Sequence, residues 1–514
     1  MRDISTPKKR IQKPKVSLKT RLTNLQPNTW EGLDLTNQGL KHLSPDIFAY
    51  SFLKELHLDN NYFHEIPKEI GMLRELEILN ISGNRLTSIP VQLCKCYRLR
   101  ELDLSDNLIT FLPLEIGNIV GLETVNLDKN PLLEPFASVY KTRGGVGLIS
   151  FCRENNTAYS MPIERLWLLQ SIEPCSSADI VRIGTYNILS PRCCTPKNFP
   201  FLPSCILQTD FRNENILREI AHYNVDILCV QEMELQYYKG FFCVHLEAQC
   251  CYDSVFFPKS RIKHFQVAER GSVDGCAIFW KKSVFQMVEQ KNIEFQKIIS
   301  EDPRFNKYEE LMLRNMGKDN VSTIVLLEKI TSDKMIVANT HLHWDPELPE
   351  IKFLQMLVLM KEIERFKTKY PDAGLLLCGD LNSLKDSEVV RFILEGEIDV
   401  NHILTFLPEH TKLETFRHGL KFWDAYENID LGFTHVAREF QGVIDFIFFD
   451  SGLRLKRALL PPNADYFDSL LALPSLHLPS DHIFLGAEEC KPLQKNTVSP
   501  QEELAASRSK CAPA

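Results

Sequence analysis

The chain has no run of about 18 uncharged apolar residues, roughly what a membrane-spanning helix requires, and its opening MRDISTPKKR has no apolar stretch behind it. Neither a membrane span, a secretory signal nor a membrane partner is expected. It also lacks any CxxC pair and any Cys/His set at zinc-binding spacing. Its 15 cysteines are dilute over 514 residues, so reduced thiols are expected, with Cys229 and Cys378 acting as small hydrophobes inside apolar runs. Net charge is small, −8 from 59 basic and 67 acidic residues. It is unevenly spread: Arg2, Lys8, Lys9, Arg10, Lys13, Lys15 and Lys19 against Asp3 give the first 20 residues +6, which leaves −14 for the rest. Such an arm suits nucleic-acid contact or a nuclear address, and equally a solvated, disordered terminus. An acidic body that handles phosphates needs cations at its site. At roughly 150 residues per domain, the length predicts two to four domains.

A period of 23 residues organises the first third. The pattern LxxLxLxxN at Leu53, Leu56, Leu58 and Asn61 returns at Leu76, Leu79, Ile81 and Asn84, at Leu99, Leu102, Leu104 and Asn107, and at Leu122, Val125, Leu127 and Asn130. Trp30, Leu33, Leu35 and Gln38 stand one step earlier, and Ile66-Pro67, Ile89-Pro90 and Leu112-Pro113 repeat in the second half of each unit. This is the leucine-rich repeat, with alternate leucines in the core and the Asn side chain bonding the turning backbone. Five units make a short α/β solenoid. One repeat cannot bury its apolar face, so Pro131 to about Asn155 should cap one end and the segment before Trp30 the other. Glu55, His57, Asp59, Asn80, Ser82, Glu101, Asp103, Asn126 and Asp128 remain on the strand face. An acidic and amidic face repels phosphate backbones and predicts a protein partner.

From about Ile180 the texture changes to the runs IVRIGTYN, DILCVQE, GCAIFWK, STIVLLEK, MIVANTHLH, GLLLCGDLN and VIDFIFFD, separated by helical patterns. Several are too continuously apolar for a sheet with one wet face and should be buried on both sides. A helix is expected over Glu347 to Phe366, after Pro346. The domain reading is a basic disordered arm over 1–29, repeats over 30–155, a linker over 156–178, an α+β domain over 179–489 and a disordered tail over 490–514.

Polar residues gather where these runs end: Asn187, Glu232, His341, Asp380 with Asn382, Asp445, and the Asp481-His482 pair. Singly, such residues are most often turn formers or satisfied core groups. Jointly they offer hard oxygen donors of the kind Mg²⁺ takes, together with histidine. A pair of such ions about 3.5 to 4 Å apart would stabilise both the attacking and the departing oxygen of an in-line phosphoryl displacement.

The order TYNIL (Thr185 to Leu189), QEME (Gln231 to Glu234), DGCAIFWK (Asp274 to Lys281), THLHWDP (Thr340 to Pro346), GDLNS (Gly379 to Ser383), IDFIF (Ile444 to Phe448) and PSDHI (Pro479 to Ile483) resembles the endonuclease/exonuclease/phosphatase superfamily. With DGCA, HWDPE and the repeats ahead, the chain is similar to the carbon catabolite repressor type poly(A) deadenylases over residues 30 to 488. The resemblance implies a two-sheet β-sandwich flanked by helices, and a Mg²⁺-dependent 3′ to 5′ exoribonuclease that shortens poly(A) tails and releases 5′-AMP. It makes Glu232 the principal Mg²⁺ ligand, with Asn187 completing the metal and phosphate contacts. Asp380 and Asn382 would position the attacking water and a second Mg²⁺, with Asp481 close to the metal. His482, held by Asp445, would act at the scissile phosphate, and His341 would donate a hydrogen bond to it. Pro346 and Phe440 match the pair that sandwiches the adenine base. The implied partners are single-stranded poly(A) RNA, a large scaffold subunit bound through the repeats, and a second deadenylase. The implied location is the cytoplasm, with the nucleus as a second compartment.

Two rival readings remain at this stage. One is an interaction scaffold whose nuclease-like domain does not turn over. The other keeps the enzyme but changes the substrate to an inositol phosphate, a dinucleotide or abasic DNA.

Overall fold

The computed structural model describes residues 31–156, 164–171, 179–399, 415–463, 466–467, 470 and 472–490. The expectations for the arm, for the cap before Trp30 and for the tail from residue 491 lie outside these residues. The chain divides into two compact units, one up to Cys152 and one from Arg153.

In the first unit, strands β1 (Gly32–Asp34), β2 (Glu55–His57), β3 (Ile78–Asn80), β4 (Glu101–Asp103) and β5 (Thr124–Asn126) form one parallel sheet in sequence order. The middle residue of each strand points into a core lined by Leu56, Leu79, Leu102 and Val125, while its neighbours face outward. The repeat asparagines hold the stack. Asn84 donates to the carbonyl oxygens of Ile81 in its own repeat and of Leu58 in the preceding one, and accepts from the Phe63 amide. Asn61, Asn107 and Asn130 repeat this pattern. Each buried amide thereby satisfies backbone groups that the turn leaves without ladder partners. Helix α1 (Phe136–Asn155) closes the stack with Leu148, Ile149 and Cys152, kinked at Gly144 where φ is +68°.

In the second unit two sheets face each other. The first has seven strands, in the order β6 (Trp167–Leu169), β21 (Arg454–Leu459), β22 (Leu485–Cys490), β7 (Val181–Asn187), β8 (Ile227–Glu234), β10 (Asp274–Lys281) and β9 (Tyr252–Pro258). The second has six: β11 (Phe285–Glu294), β12 (Val321–Lys329), β13 (Lys334–His341), β14 (Gly374–Asp380), β20 (Asp445–Asp450) and β17 (Phe422–Asp424). Two small hairpins complete the set, β15 (Glu397–Ile398) with β16 (Phe416–Arg417) and β18 (His435–Val436) with β19 (Gln441–Gly442). Ile183, Ile227, Cys229 and Ile278 of one sheet meet Val325, Val337, Leu376, Cys378 and Ile447 of the other. Helix α2 (Thr209–Tyr223) covers the first sheet with Ile216, Leu217 and Ile220, and α3 (Pro349–Lys369) covers the second with Ile351, Leu354 and Met360. Each sheet is thus covered on both faces, which is why the central runs read as continuous hydrophobes.

Three expectations need correction. The helix placed from Glu347 begins at Pro349, because Asp345 accepts from the Glu347 amide in a turn and proline is preset for the first helical position. Trp167–Leu169, inside the stretch read as a linker, pairs with β21 and edges the first sheet, and Cys490, placed in the tail, ends β22. Among the described residues no helix is long and apolar enough to cross a membrane, and Cys229 and Cys378 are buried thiols outside any disulfide.

Candidate active site

Three neighbouring strands line up the first half of the site. In register, His341 of β13 stands beside Asp380 of β14, and Asp380 opposite Asp445 of β20. Two carboxylates directly opposite on adjacent strands repel each other, and His482 lies between them. Its Nδ1 is 2.8 Å from Asp445 Oδ2 and its Nε2 is 3.7 Å from Asp380 Oδ2. His341 Nε2 approaches the same Asp380 oxygen at 3.6 Å.

The facing sheet supplies the other half. Asn187 ends β7, and its Nδ2 donates to Asp380 Oδ2 at 2.9 Å and to Glu232 Oε1 at 3.3 Å, bridging the sheets. Glu232 sits in a β-bulge: the β8–β10 register jumps between Gly275 opposite Met233 and Ala277 opposite Val230. Its φ of +58° is a left-handed conformation that costs a non-glycine residue stability. Bulges beside functional sites re-aim side chains, and here Glu232 Oε2 also accepts from the Ser190 amide at 2.8 Å. Beneath the bulge, Asn339 of β13 donates across to the carbonyl oxygens of Val230 and Ala277 and accepts from Gln231 Nε2.

Charge is crowded here. Burial and the nearby Asp445 push Asp380 up to about 6. Burial raises Glu232 too, with Asp481 and Asp274 adding to it against the pull of Lys259. Burial alone would lower His482, but the Asp445 and Asp380 carboxylates outweigh it and raise it to about 10. Asp481, although buried, is held down at about 2 by His435 and His482. Burial and Lys259 keep His341 well below the ordinary histidine range, hence neutral.

The structure thus gathers Asn187, Glu232, His341, Asp380, Asp445, Asp481 and His482 at one end of the sandwich. Ligand atoms of Asp380, Asp445 and His482 lie within 4.8 Å of one another, as do those of His435, Asp481 and His482. Asn382, with φ +46°, donates its amide to Asp380 Oδ1, and its side chain donates to Leu342 O. Phe440 stands on the β18–β19 turn, 41% exposed, over Gly442 and Leu384. Pro346 is exposed on the loop after β13.

Sequence reasoning missed several neighbours. Lys259 pairs with Asp274 at 2.8 Å, and Arg261 joins Asp274 to Asp319. Arg212 is fully buried and ties Pro479 O to Ile188 O, clamping the loop after β7 to the His482 loop. Asp274 opens the DGCA motif, the one signal that could have singled out this ion pair. His435 had none.

The endonuclease/exonuclease/phosphatase family model matches residues 184–482, and the leucine-rich repeat model matches 31–86 and 74–132. Over 459 residues the chain is 44% identical to the probable CCR4-Not complex 3′-5′-exoribonuclease subunit Ccr4 of Encephalitozoon cuniculi, covering 89% of this chain and 92% of that one. It is 37% identical over 529 residues to the CCR4-Not complex 3′-5′-exoribonuclease subunit Ccr4 of Schizosaccharomyces pombe, covering 92% and 76%. Among solved structures, ANGEL2, a 2′,3′-cyclic phosphatase, aligns with a TM-score of 0.51 at 23% identity, over 64% of this chain and 99% of that one, a likeness of fold alone. With relatives this similar along both units, the chain belongs to the endonuclease/exonuclease/phosphatase family, on the branch whose nuclease domain follows leucine-rich repeats.

Proposed function

We propose that this protein is a Mg²⁺-dependent 3′ to 5′ exoribonuclease that shortens poly(A) tails and releases 5′-AMP as a subunit of a CCR4-Not complex. The observation that carries the chemistry is the convergence of three carboxylates, an asparagine and a raised histidine from five separate segments. The names of the relatives support the exoribonuclease activity and the complex.

The donor set fits a hard divalent cation. Glu232, Asp380 and Asp481 present only oxygen, and the burial and carboxylate repulsion that raise Glu232 and Asp380 are what a cation relieves. Glu232, Asp380 and Asp481 with Asn187 would hold it, and two ions are our reading. When bound, Mg²⁺ neutralises charge on the phosphoryl oxygens and activates water. The residues then divide the work. Asn187 and Asn382 orient phosphate and water, and neutral His341 donates a hydrogen bond to a phosphoryl oxygen. His482, protonated and fixed by Asp445, faces the negative charge carried by the phosphoryl oxygens and the departing 3′ oxygen. Water attacks phosphorus in line, the P–O3′ bond breaks, and the 3′ oxygen departs with a proton. Pro346 and Phe440 flank the terminal base, where stacking contributes about 1 to 3 kcal/mol.

The outward strand face of the repeats, with Glu55, Asp103 and Asp128, suits the large scaffold subunit or a second deadenylase better than RNA. Cytoplasm, with the nucleus as second compartment, follows from the substrate. The test is product mass after digestion of poly(A), poly(U) and poly(C) at fixed salt. The expected result is 5′-nucleoside monophosphate from each polymer, released fastest from poly(A) as 5′-AMP. Release of inorganic phosphate, or equal rates on all three polymers, would remove the assignment.

A further inference from the structure

We propose that His435 is a positioning residue that couples the seating of the terminal adenine to the catalytic pair Asp481 and His482, so that base identity is expressed in turnover as well as in binding. This rests on the adenine-selective exoribonuclease reading above.

The backbone of β18 is held from both sides. Toward the hairpin, His435 pairs with Gly442 and Val436 with Gln441. Toward the catalytic loop, His435 forms a bridge with His482, the Val436 amide donates to Asp481 O at 2.9 Å, and the Ile483 amide donates to Thr434 O at 2.8 Å. The turn beyond β18 carries Phe440, and the Ala437 amide is fixed to Phe440 O at 2.8 Å. One short strand therefore joins the proposed base platform to the catalytic histidine.

The side chain follows the same path. The His435 ring centre lies 5.6 Å from that of Phe440 and 4.6 Å from that of His482. Exposure falls from 41% at Phe440 to 16% for the His435 side chain and 5% for His482, a run from the surface to the buried centre. His435 Nε2 stands 3.4 Å from Asp481 Oδ2, while its Nδ1 is buried without a hydrogen-bond partner among the described residues. The ring's polar contact is thus with Asp481, and the ring lies tilted beside two aromatic neighbours, at 38° to Phe440 and 57° to His482. The Phe440 ring packs on the backbone of Gly442: a Cβ there would stand 2.7 Å from its Cζ. A base stacked on Phe440 presses against His435, and a displaced Phe440 withdraws the support on which the Asp481 contact rests.

Three substitutions in the full chain separate the contributions, each followed as kcat and KM on poly(A) and poly(U) with Mg²⁺. His435→Ala removes ring and polar contact; the poly(A) to poly(U) ratio of kcat should fall about tenfold, the scale of one aromatic contact. His435→Gln keeps a polar group at the reach of Nε2 for Asp481 and loses the ring; kcat on poly(U) should fall less than in His435→Ala, while the poly(A) to poly(U) ratio still falls. His435→Phe keeps the ring and loses the polar contact; kcat should drop on both polymers with the ratio kept. An equal loss on both polymers from all three variants, with a lowered Tm, would mark His435 as structural and overturn the proposal. Wild-type behaviour in all three would do the same. A wild-type protein indifferent to base overturns this proposal and the adenine reading together, whereas a wild-type preference that survives in every variant overturns this proposal alone.

Discussion

The two units bury polar side chains for opposite reasons. In the solenoid, every described repeat asparagine is bonded to backbone of its own and the neighbouring repeat. In the nuclease domain, Asp380 and Asp445 face each other, Asp445 Oδ1 and His341 Nδ1 are buried without partners among the described residues, and Glu232 holds a strained backbone. The first arrangement is a finished structural bond network. The second is incomplete as it stands, which is what a site for a cation and a phosphate should be.

The largest effect that could break this contrast is at Glu232. Glu232→Ala should reduce 5′-AMP release on the order of 10³-fold with Tm unchanged or raised, since the strained carboxylate serves function; a variant that unfolds instead would make Glu232 a structural residue. Asp445→Asn should cost about 10² to 10⁴-fold in kcat with little change in KM, measured by steady-state kinetics. A loss confined to KM would take Asp445 out of the support of His482.

The solenoid should answer in stability. Asn84→Ala leaves the Leu58 and Ile81 carbonyls and the Phe63 amide without their side-chain partner, and should cost about 1 to 3 kcal/mol for each group left unsatisfied. Denaturant melts read that loss, with hydrolysis of free RNA per folded molecule preserved. A fall in activity at full folding would tie the repeats to the chemistry.

The pH dependence sharpens the contrast further. Asp380 titrates near 6 in the fold against 3.8 ordinarily, so its ionisation opposes folding and stability falls as pH rises through that window. His482 titrates near 10 against 6.5 ordinarily, so the stability it adds is complete below 6.5 and is lost as pH climbs toward 10. Both slopes have the same sign. The Tm of chelated protein should fall by a few degrees between about pH 4 and 9, first through Asp380 and then through His482, and Mg²⁺ should flatten the fall. A chelated Tm that rises with pH contradicts the carboxylate crowding. The smallest effect is at Gly442→Ala, where a Cβ meets Phe440 Cζ at 2.7 Å. It should lower the poly(A) preference about two- to fivefold, a fraction of one stacking contact, with kcat on poly(U) unchanged.

Periodicity made the solenoid legible, because each strand and each asparagine recurs at one spacing. The seven apolar runs were legible as buried strands for a similar reason: a sheet covered on both faces leaves no room for polar alternation. Site residues stood out because they interrupt those runs at their ends. The bulge at Glu232 was not legible, since a register jump depends on the partner strand rather than on β8 alone. Nor was His435, which lies in a two-residue strand and gains its surroundings from Phe440 and from Asp481, 46 positions further on by sequence. The ion pair of Lys259 with Asp274 likewise exists only once β9 and β10 are side by side.

The amide of Asn339 fills the gap that the bulge opens in the first sheet while remaining rooted in the second. It behaves as a gauge block between two plates, with the Asn187 bridge between Glu232 and Asp380 above it. Slippage of either plate would have to break both carboxamides, so tolerances at the mouth are inherited from two side chains of fixed reach.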